Sequence, residues 1–278
     1  MKAITSKTSP ILMGMALALA GTTLAAAQEA TPTPPKVLQI TREWLKPGKT
    51  GAVHDASEAA FVAAASRGKL RGHYVALNSI SGKARALYMF RYPSFAAMEE
   101  DQKIIDKSPA LTAEFERALS ADGELLEDTD TGVFTYDEEL SYHPHPDLSH
   151  ARYYELTVFH VRTGHDADWH KAVKMYQDAC DKAKNGAHWG MYDLAFGGEG
   201  GTYLALSHRD SMKEIDDIFA GGKKFVEAMG GEAAMQKFDE LVGQAIDSSR
   251  VELFAINPKQ SYPEDAWIKG DPGFWQPK

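Results

Sequence analysis

Cysteine is nearly absent from this sequence, since Cys180 is the only one among 278 residues. A chain with one cysteine can form no internal disulfide bond, so its stability must come from packing. We interpret Cys180 as a small buried apolar residue, because no flanking feature indicates a stabilised thiolate.

Basic residues are also few. The sequence has 30 lysines and arginines against 39 aspartates and glutamates, which gives a formal net charge of −9. Loss of residues 1–27 would remove Lys2 and Lys7 and leave a net charge of −11. An acidic surface repels phosphate backbones, so we expect no nucleic-acid partner.

No apolar run reaches the roughly 20 residues that span a bilayer. The apolar run at residues 11–20 follows Lys2 and Lys7 and precedes three alanines at 25–27. This order is typical of a secretory signal peptide, which we assign to residues 1–27. We therefore predict a periplasmic or secreted protein whose mature form has no membrane contact.

Familiar catalytic and cofactor motifs are missing as well. The sequence contains no GxSxG, P-loop, dinucleotide fingerprint or HExxH. Each of these marks one chemistry through a fixed spacing of residues, so the sequence identifies no cofactor.

Proline-rich stretches divide the chain. Residues 28–36 are rich in proline and threonine and indicate a flexible lead-in. A second break at 143–151 contains Pro144 and Pro146, which disfavour a helix or a central strand. We predict a first unit at 37–142, a linker at 143–151, a second unit at 152–256 and a tail at 257–278.

The two units match in an ordered series. A histidine follows the first predicted strand of each unit, at His54 and His170, and the pairs His73-Tyr74 and His188-Trp189 begin later strands. An offset of about 115 residues relates these positions. Each unit reads β-α-β-β-α-β, the ferredoxin-like order.

We therefore predict an α+β fold in which two tandem ferredoxin-like units form an intramolecular dimeric α/β-barrel. Residues 37–45 alternate, so Leu38 and Ile40 share one face and Glu43 lies on the other. We expect the face with Glu43, and its counterpart with Glu155, to point away from the helices. Assembly of several copies of this chain into a homo-oligomer is also possible.

The second unit resembles the opening of NIPSNAP-type domains of the dimeric α/β-barrel superfamily. The resemblance lies in Tyr154-Glu155-Leu156 followed by Gly164. Thr157 departs from the arginine that the family tends to have, and Gln39 stands in the first unit where Glu155 stands in the second. The resemblance implies a barrel-like interface with a ligand cleft between each sheet and its helices.

Histidines and carboxylates are the candidate reactive groups. His54 and His170 could act as general bases near neutral pH, or could pack at a helix boundary without chemistry. Glu43 and Glu155 could act as bases, bind a cation, or pair with a nearby arginine such as Arg42, Arg85 or Arg152. The expected ligand-binding residues are Glu155, Glu43, His73, His188, Trp189 and Tyr192, with the aromatic rings facing a flat apolar molecule.

Metal binding has a weaker signal. His143, His145 and His150 lie in one linker and could approach a transition metal, although linkers of this kind are usually solvated. We assign no metal site.

Three functions fit the sequence, and we favour the first. The first is an exported protein that binds a small apolar or aromatic molecule in the clefts. The second is a cofactor-independent monooxygenase-like enzyme that uses His or Glu as a base, and the third is a structural or interaction protein with no ligand. The aromatic tail, with Trp267, Phe274 and Trp275, is expected to dock on the body of the protein.

Overall fold

The computed structural model describes residues 33–276, so the predicted signal peptide lies outside the described residues. The predicted α+β class is confirmed. In this part of the chain no helix has both the length and the apolar character needed to cross a membrane. The elements in chain order are β1 (Val37–Leu45), α1 (Ala52–Gly68), β2 (Tyr74–Ser79), β3 (Arg85–Tyr92), α2 (Phe95–Asp106), α3 (Pro109–Gly123), β4 (Leu126–Tyr142), β5 (Tyr153–Val161), α4 (Asp166–Ala183), β6 (Trp189–Phe196), β7 (Thr202–Arg209), α5 (Lys213–Ala220), α6 (Gly222–Met229), α7 (Glu232–Ala245), β8 (Ile246–Ile256), α8 (Asp265–Gly270) and α9 (Pro272–Trp275).

The strands form one closed antiparallel barrel in the order β1-β3-β2-β8-β5-β7-β6-β4. Read around the barrel, β4-β1-β3-β2 come from the first half of the chain and β8-β5-β7-β6 from the second. The halves are joined where β2 pairs with β8 and where β4 pairs with β6. Closure leaves neither four-stranded sheet with a free edge.

The barrel interior holds the main hydrophobic core. Alternate residues of each strand point inward, so both halves contribute to one apolar centre. Its fully buried members include Leu77, Leu87 and Phe254. The interior is therefore packed chiefly by side chains of the two inner faces, with Leu38, Ile40, Val75, Met89, Phe134, Tyr154, Leu156, Tyr192, Leu204, Leu206 and Ile256 beside them.

The alternation along β1 is correct, but the predicted direction of its faces is wrong. Leu38 and Ile40 belong to the barrel core, whereas Glu43 contacts His54 of α1 and so faces the helices. Glu155 likewise lines a cavity together with Trp169 of α4. The inner faces thus carry the apolar positions that form the barrel core, whereas Glu43 and Glu155 lie on the helix side.

Serine and proline fix the helices of the first half. Ser94 and Ser108 accept hydrogen bonds from the backbone N–H groups of Ala97 and Leu111, which caps α2 and α3. Pro109 occupies the first turn of α3, where its missing N–H costs nothing. The break between α2 and α3 allows α3 to pack along α1, and it places the last turn of α3 near the end of β1.

The tail docks on the body, as predicted. Trp267 and Trp275 are buried in the same core as the barrel strands. The Trp275 indole donates a hydrogen bond to the Ser149 carbonyl at 2.9 Å. The segment before α8 reaches the first half, where Gln260 and Ser261 are buried.

Candidate functional site

A large cleft lies in the first half, between the outer face of its sheet and α1, α2 and α3. Its volume is about 710 Å³, which is in the range of small-molecule sites. Most of its wall is aromatic or aliphatic, and Glu43 and Glu58 reach it. The wall includes Phe61, Leu70, Tyr74, Tyr88, Phe90, Tyr92, Phe95, Met98, Ile105, Phe115 and Leu119.

A cluster of four ionisable side chains stands where this cleft meets β1. We call Glu43, His54, Glu58 and Asp122 the carboxylate–histidine cluster; their ligand-type atoms all lie within 4.8 Å of one another. His54 Nε2 is 3.2 Å from Glu43 Oε2, 3.8 Å from Glu58 Oε1 and 3.7 Å from Asp122 Oδ1. All four residues are buried.

Local structure explains this convergence. His54 and Glu58 are four residues apart on α1, so they share one helix face. Glu43 lies near the end of β1, and Asp122 lies in the last turn of α3. Packing of α3 against α1 completes the cluster.

Polar neighbours hold the imidazole in place. Tyr88 Oη of β3 lies 3.4 Å from His54 Nε2. On the other side of the ring, Gln260 Nε2 lies 3.2 Å from His54 Nδ1 and donates to Asp55 Oδ1 at 3.0 Å. His54 is therefore fixed between the carboxylates and the segment that precedes the tail.

Burial dominates the electrostatics of the cluster. It raises the pKa of Glu43, while the hydrogen bond from His54 opposes the shift. It raises the pKa of Glu58 to about 10, helped by the charges of Glu43 and Asp122. Burial also raises the pKa of Tyr88 well above its usual value. Carboxylates crowded in an apolar site repel one another, so this cluster favours bound protons or a bound cation.

Two carboxylate oxygens of the cluster have no hydrogen-bond partner. They are Glu58 Oε1 and Asp122 Oδ1, and both are buried. A buried acceptor without a donor costs about 1–3 kcal/mol, and more when it is charged. These two atoms are also the ones that point at His54 Nε2.

The second half has a smaller cleft, of about 350 Å³, between its sheet and its helices. Phe159 occupies the position in β5 that Glu43 occupies in β1. Lys174 lies four residues after His170, as Glu58 lies four residues after His54, so Lys174 corresponds to Glu58. Leu126 pairs with the last residue of β1, and Ile246 pairs with the last residue of β5. Val242, four residues before Ile246, therefore corresponds to Asp122, four residues before Leu126. Phe159 and Val242 line this cleft, so the carboxylate–histidine cluster has no counterpart in it.

The predicted residues of the second half are therefore dispersed. His170 is 37% exposed and lies 3.6 Å from Glu139, whereas His54 is 1% exposed. Glu155 lies 3.4 Å from Arg209, rather than pairing with one of the arginines named above. Trp189 lines the second cleft and donates to the Leu140 carbonyl.

Tyr192 is packed in the barrel core, outside the helix-side cleft of the second half, and it lines a smaller pocket together with His145, His188 and His208. Its role in ligand binding stays a prediction. His73 stacks on Tyr262 with ring centroids 4.5 Å apart, and its Nδ1 lies 2.9 Å from the Pro263 carbonyl. His73 is thus engaged with the C-terminal segment and is not among the residues that line the first cleft.

The linker histidines separate. His143 adopts a left-handed backbone conformation, with φ of 41°, and lies beside Asp181, while His150 is exposed. His145 instead stacks on His188 with ring centroids 4.3 Å apart, and His208 completes a second group of three. Burial, together with the charges of its neighbours, lowers the pKa of His188 and lowers that of His208 to about 3.

Sequence reasoning found Glu43 and His54 but missed their partners. Glu58 carries a local signal, since it follows His54 at helical spacing. Asp122 and Gln260 carry none, because they reach the cluster only through packing of α3 and of the C-terminal segment.

Comparisons with known proteins agree on the fold. No protein-family model matches the sequence, and no curated protein matches it. A candidate monooxygenase of Fusobacterium nucleatum superposes with a TM-score of 0.55 at 8% identity, over 80% of this chain and 93% of its own. An anthrone oxidase-like protein superposes with a TM-score of 0.53 at 12% identity, over 82% and 94%.

At these identities the likeness shows the fold alone, which is of the dimeric α/β-barrel type. This fold is compatible with the one that the sequence predicts, and membership of the superfamily stays a prediction. The NIPSNAP resemblance itself stays a prediction.

Proposed function

We propose that this protein is an enzyme of the monooxygenase kind that acts on a flat, largely apolar molecule held in the first cleft. The observation that carries the proposal is the apolar cavity of about 710 Å³ whose wall includes Glu43, which is itself in contact with His54. A carboxylate backed by an imidazole is an arrangement suited to proton transfer. The two neighbours with TM-scores above 0.5, whose names denote oxidative enzymes, lend support.

Glu43 is the group placed to accept the substrate's proton, since it reaches the cleft and His54 lies behind it. Removal of a proton from a CH₂ group beside a carbonyl or an aromatic ring leaves a carbanion. Molecular oxygen, as co-reactant, then converts CH₂ to C=O, and its second oxygen atom leaves as water. The aromatic walls of the cleft would hold the flat substrate and exclude bulk water.

The test uses anthrone as the probe, because one structural neighbour is described as anthrone oxidase-like. Oxygen consumption is followed for the wild type and for Glu43→Gln, which keeps the shape of the side chain. We expect Glu43→Gln to lose about 10²-fold or more of the rate, the usual share of a general base. Glu155→Gln in the second cleft is the matched control and should keep the wild-type rate.

A wild-type rate no greater than that of buffer, together with native mass spectra that show no bound apolar molecule, would argue against an enzyme of this kind. Full activity in Glu43→Gln would remove the assigned base. Binding without any turnover would favour the ligand-binding reading, which the second cleft also suits because apolar residues replace the cluster there.

We also infer that the halves are tandem ferredoxin-like units and that the mature protein is exported. The first inference is supported by the same order of strands and helical segments in each half, although the last helical segment has two helices in the first half and three in the second. The second is supported by the sequence of residues 1–27. N-terminal sequencing of protein recovered from the periplasm or medium would test it, with Gln28 as the expected first residue.

A further inference from the structure

The carboxylate–histidine cluster has the composition of a metal site. It offers one imidazole nitrogen and three carboxyl groups from β1, α1 and α3. Imidazole and carboxylate together suit first-row divalent ions such as Mn²⁺, Fe²⁺ and Zn²⁺. The structure gives Glu58 Oε1 and Asp122 Oδ1 no hydrogen-bond donor, so these buried oxygens need either a proton shared between the carboxyl groups or a bound cation.

The spacing of the ligand atoms fits a single ion. Ligands about 2.1 Å from a tetrahedral metal are separated from one another by about 3.4 Å. His54 Nε2 is 3.2 Å, 3.8 Å and 3.7 Å from the nearest oxygens of Glu43, Glu58 and Asp122. Small side-chain movements would bring all four atoms to bonding distance.

The unpartnered oxygens point to the same place. Glu58 Oε1 and Asp122 Oδ1 are buried without a hydrogen bond, and their side chains are only 4% and 3% exposed. Both atoms belong to the set that surrounds His54 Nε2. A dication at that point would satisfy both oxygens and neutralise most of the buried carboxylate charge.

Gln260 provides the support that a histidine ligand needs. Coordination through His54 Nε2 requires the proton on Nδ1 and an acceptor for it. Gln260 Oε1 is buried without a partner. Rotation of the amide would turn this oxygen to Nδ1, in exchange for the hydrogen bond that Gln260 Nε2 now donates to Asp55 Oδ1. Asp55 would keep the hydrogen bond from Asn257 Nδ2 at 2.8 Å.

The second half acts as an internal comparison. Phe159, Lys174 and Val242 occupy the positions of Glu43, Glu58 and Asp122. An apolar or cationic residue thus stands at each of these three positions, and His170 is half-exposed there. The first half alone keeps the whole donor set.

We propose that the first half binds one divalent first-row transition-metal ion through His54 Nε2 and carboxylate oxygens of Glu43, Glu58 and Asp122. The ion lies beside the first cleft, because Glu43 and Glu58 also line that cavity. A bound substrate oxygen could therefore approach it. The inference stands on the geometry of the cluster and does not require the proposed oxidation, in which Glu43 acts as a base without a bound ion.

The test is metal binding by EDTA-treated full-length protein, measured without substrate. Zn²⁺ and Mn²⁺ are titrated separately by isothermal calorimetry, and elemental analysis after dialysis gives the stoichiometry. We expect one tight site in the wild type and a loss of 100-fold or more in affinity for Glu58→Gln and Asp122→Asn. Gln260→Leu should bind 10- to 100-fold more weakly, because it removes the support of a ligand.

Two controls keep the outcome interpretable. His145→Gln alters the other histidine group and should leave the tight site unchanged. Metal-free Glu58→Gln should melt no lower than the metal-free wild type, because it removes a crowded buried acid, and this comparison separates ligand loss from misfolding.

Wild-type binding no tighter than that of Glu58→Gln and Asp122→Asn would overturn the inference. Metal binding without oxygen consumption would refute the enzyme and leave the metal site. Oxygen consumption by protein that binds no metal would refute the metal site and leave the proposed enzyme.

Discussion

Acid should destabilise this protein through His208. Burial and the nearby charges of His188, His145, Arg209 and Arg91 lower the pKa of His208 to about 3, from an ordinary value of 6.5. The folded state therefore binds fewer protons than the unfolded state between these two values. Stability that is present above pH 6.5 is lost as the pH falls toward 3.

The magnitude follows from the two pKa values. Between pH 7 and pH 5 the unfolded histidine becomes almost fully protonated while the folded one stays neutral. The linkage relation gives a loss of about 2 kcal/mol in the free energy of unfolding over this interval. The side chain is buried, so screening by solvent reduces this figure little.

Urea unfolding at pH 7 and pH 5 measures the effect in the wild type and in His208→Gln, which cannot titrate. Other groups lower stability in acid as well, so the informative quantity is the difference between the two proteins. The wild type should lose about 2 kcal/mol more than His208→Gln. His143→Gln, on an exposed side chain, should follow the wild type, and parallel losses in all three proteins would refute the reasoning.

Two further predictions concern stability. Trp267→Ala should lower the free energy of unfolding by about 3–5 kcal/mol in urea titration, because the indole is fully buried in the barrel core; a loss below 1 kcal/mol would mean that the tail docks only loosely. Arg85 and Glu252 form a buried ion pair, so Arg85→Met alone should cost about 3–5 kcal/mol, whereas Arg85→Met with Glu252→Leu should cost much less. Equal losses in the single and double variants would show that the charges are not coupled.

The period of the sequence predicts the strands correctly, but it does not predict which face of a strand points to the helices. The alternation at residues 37–45 identifies a strand with two different faces, and β1 has them. A period of two does not say which face meets the helices, and a strand packed on both sides offers no simple polar-out rule. The sequence therefore predicts the wrong side for Glu43, and it does not show that Tyr192 belongs to the barrel core.

The linker histidines show a second limit of sequence reasoning, because residues close in the chain need not share one site. His143 and His145 are two residues apart, but His143 lies beside Asp181 whereas His145 stacks on His188. His145 contacts His188, which immediately precedes β6, and lies close to His208 of β7. The sequence contains no signal for that meeting, because it depends on how the strands pair.

The difference between the two clefts bears on how this fold can carry an ionisable site. Buried carboxylates oppose folding, since each loses hydration that only a donor or a cation can replace. The second half fills the corresponding region with apolar side chains, and Trp169, Val173 and Met191 form a separate core there. Because the halves share one closed barrel, the packing of the second half and of the barrel interior supports the first half as well. The fold can therefore retain a destabilising cluster in one cleft, and a protein whose clefts served packing alone would have apolar residues in both.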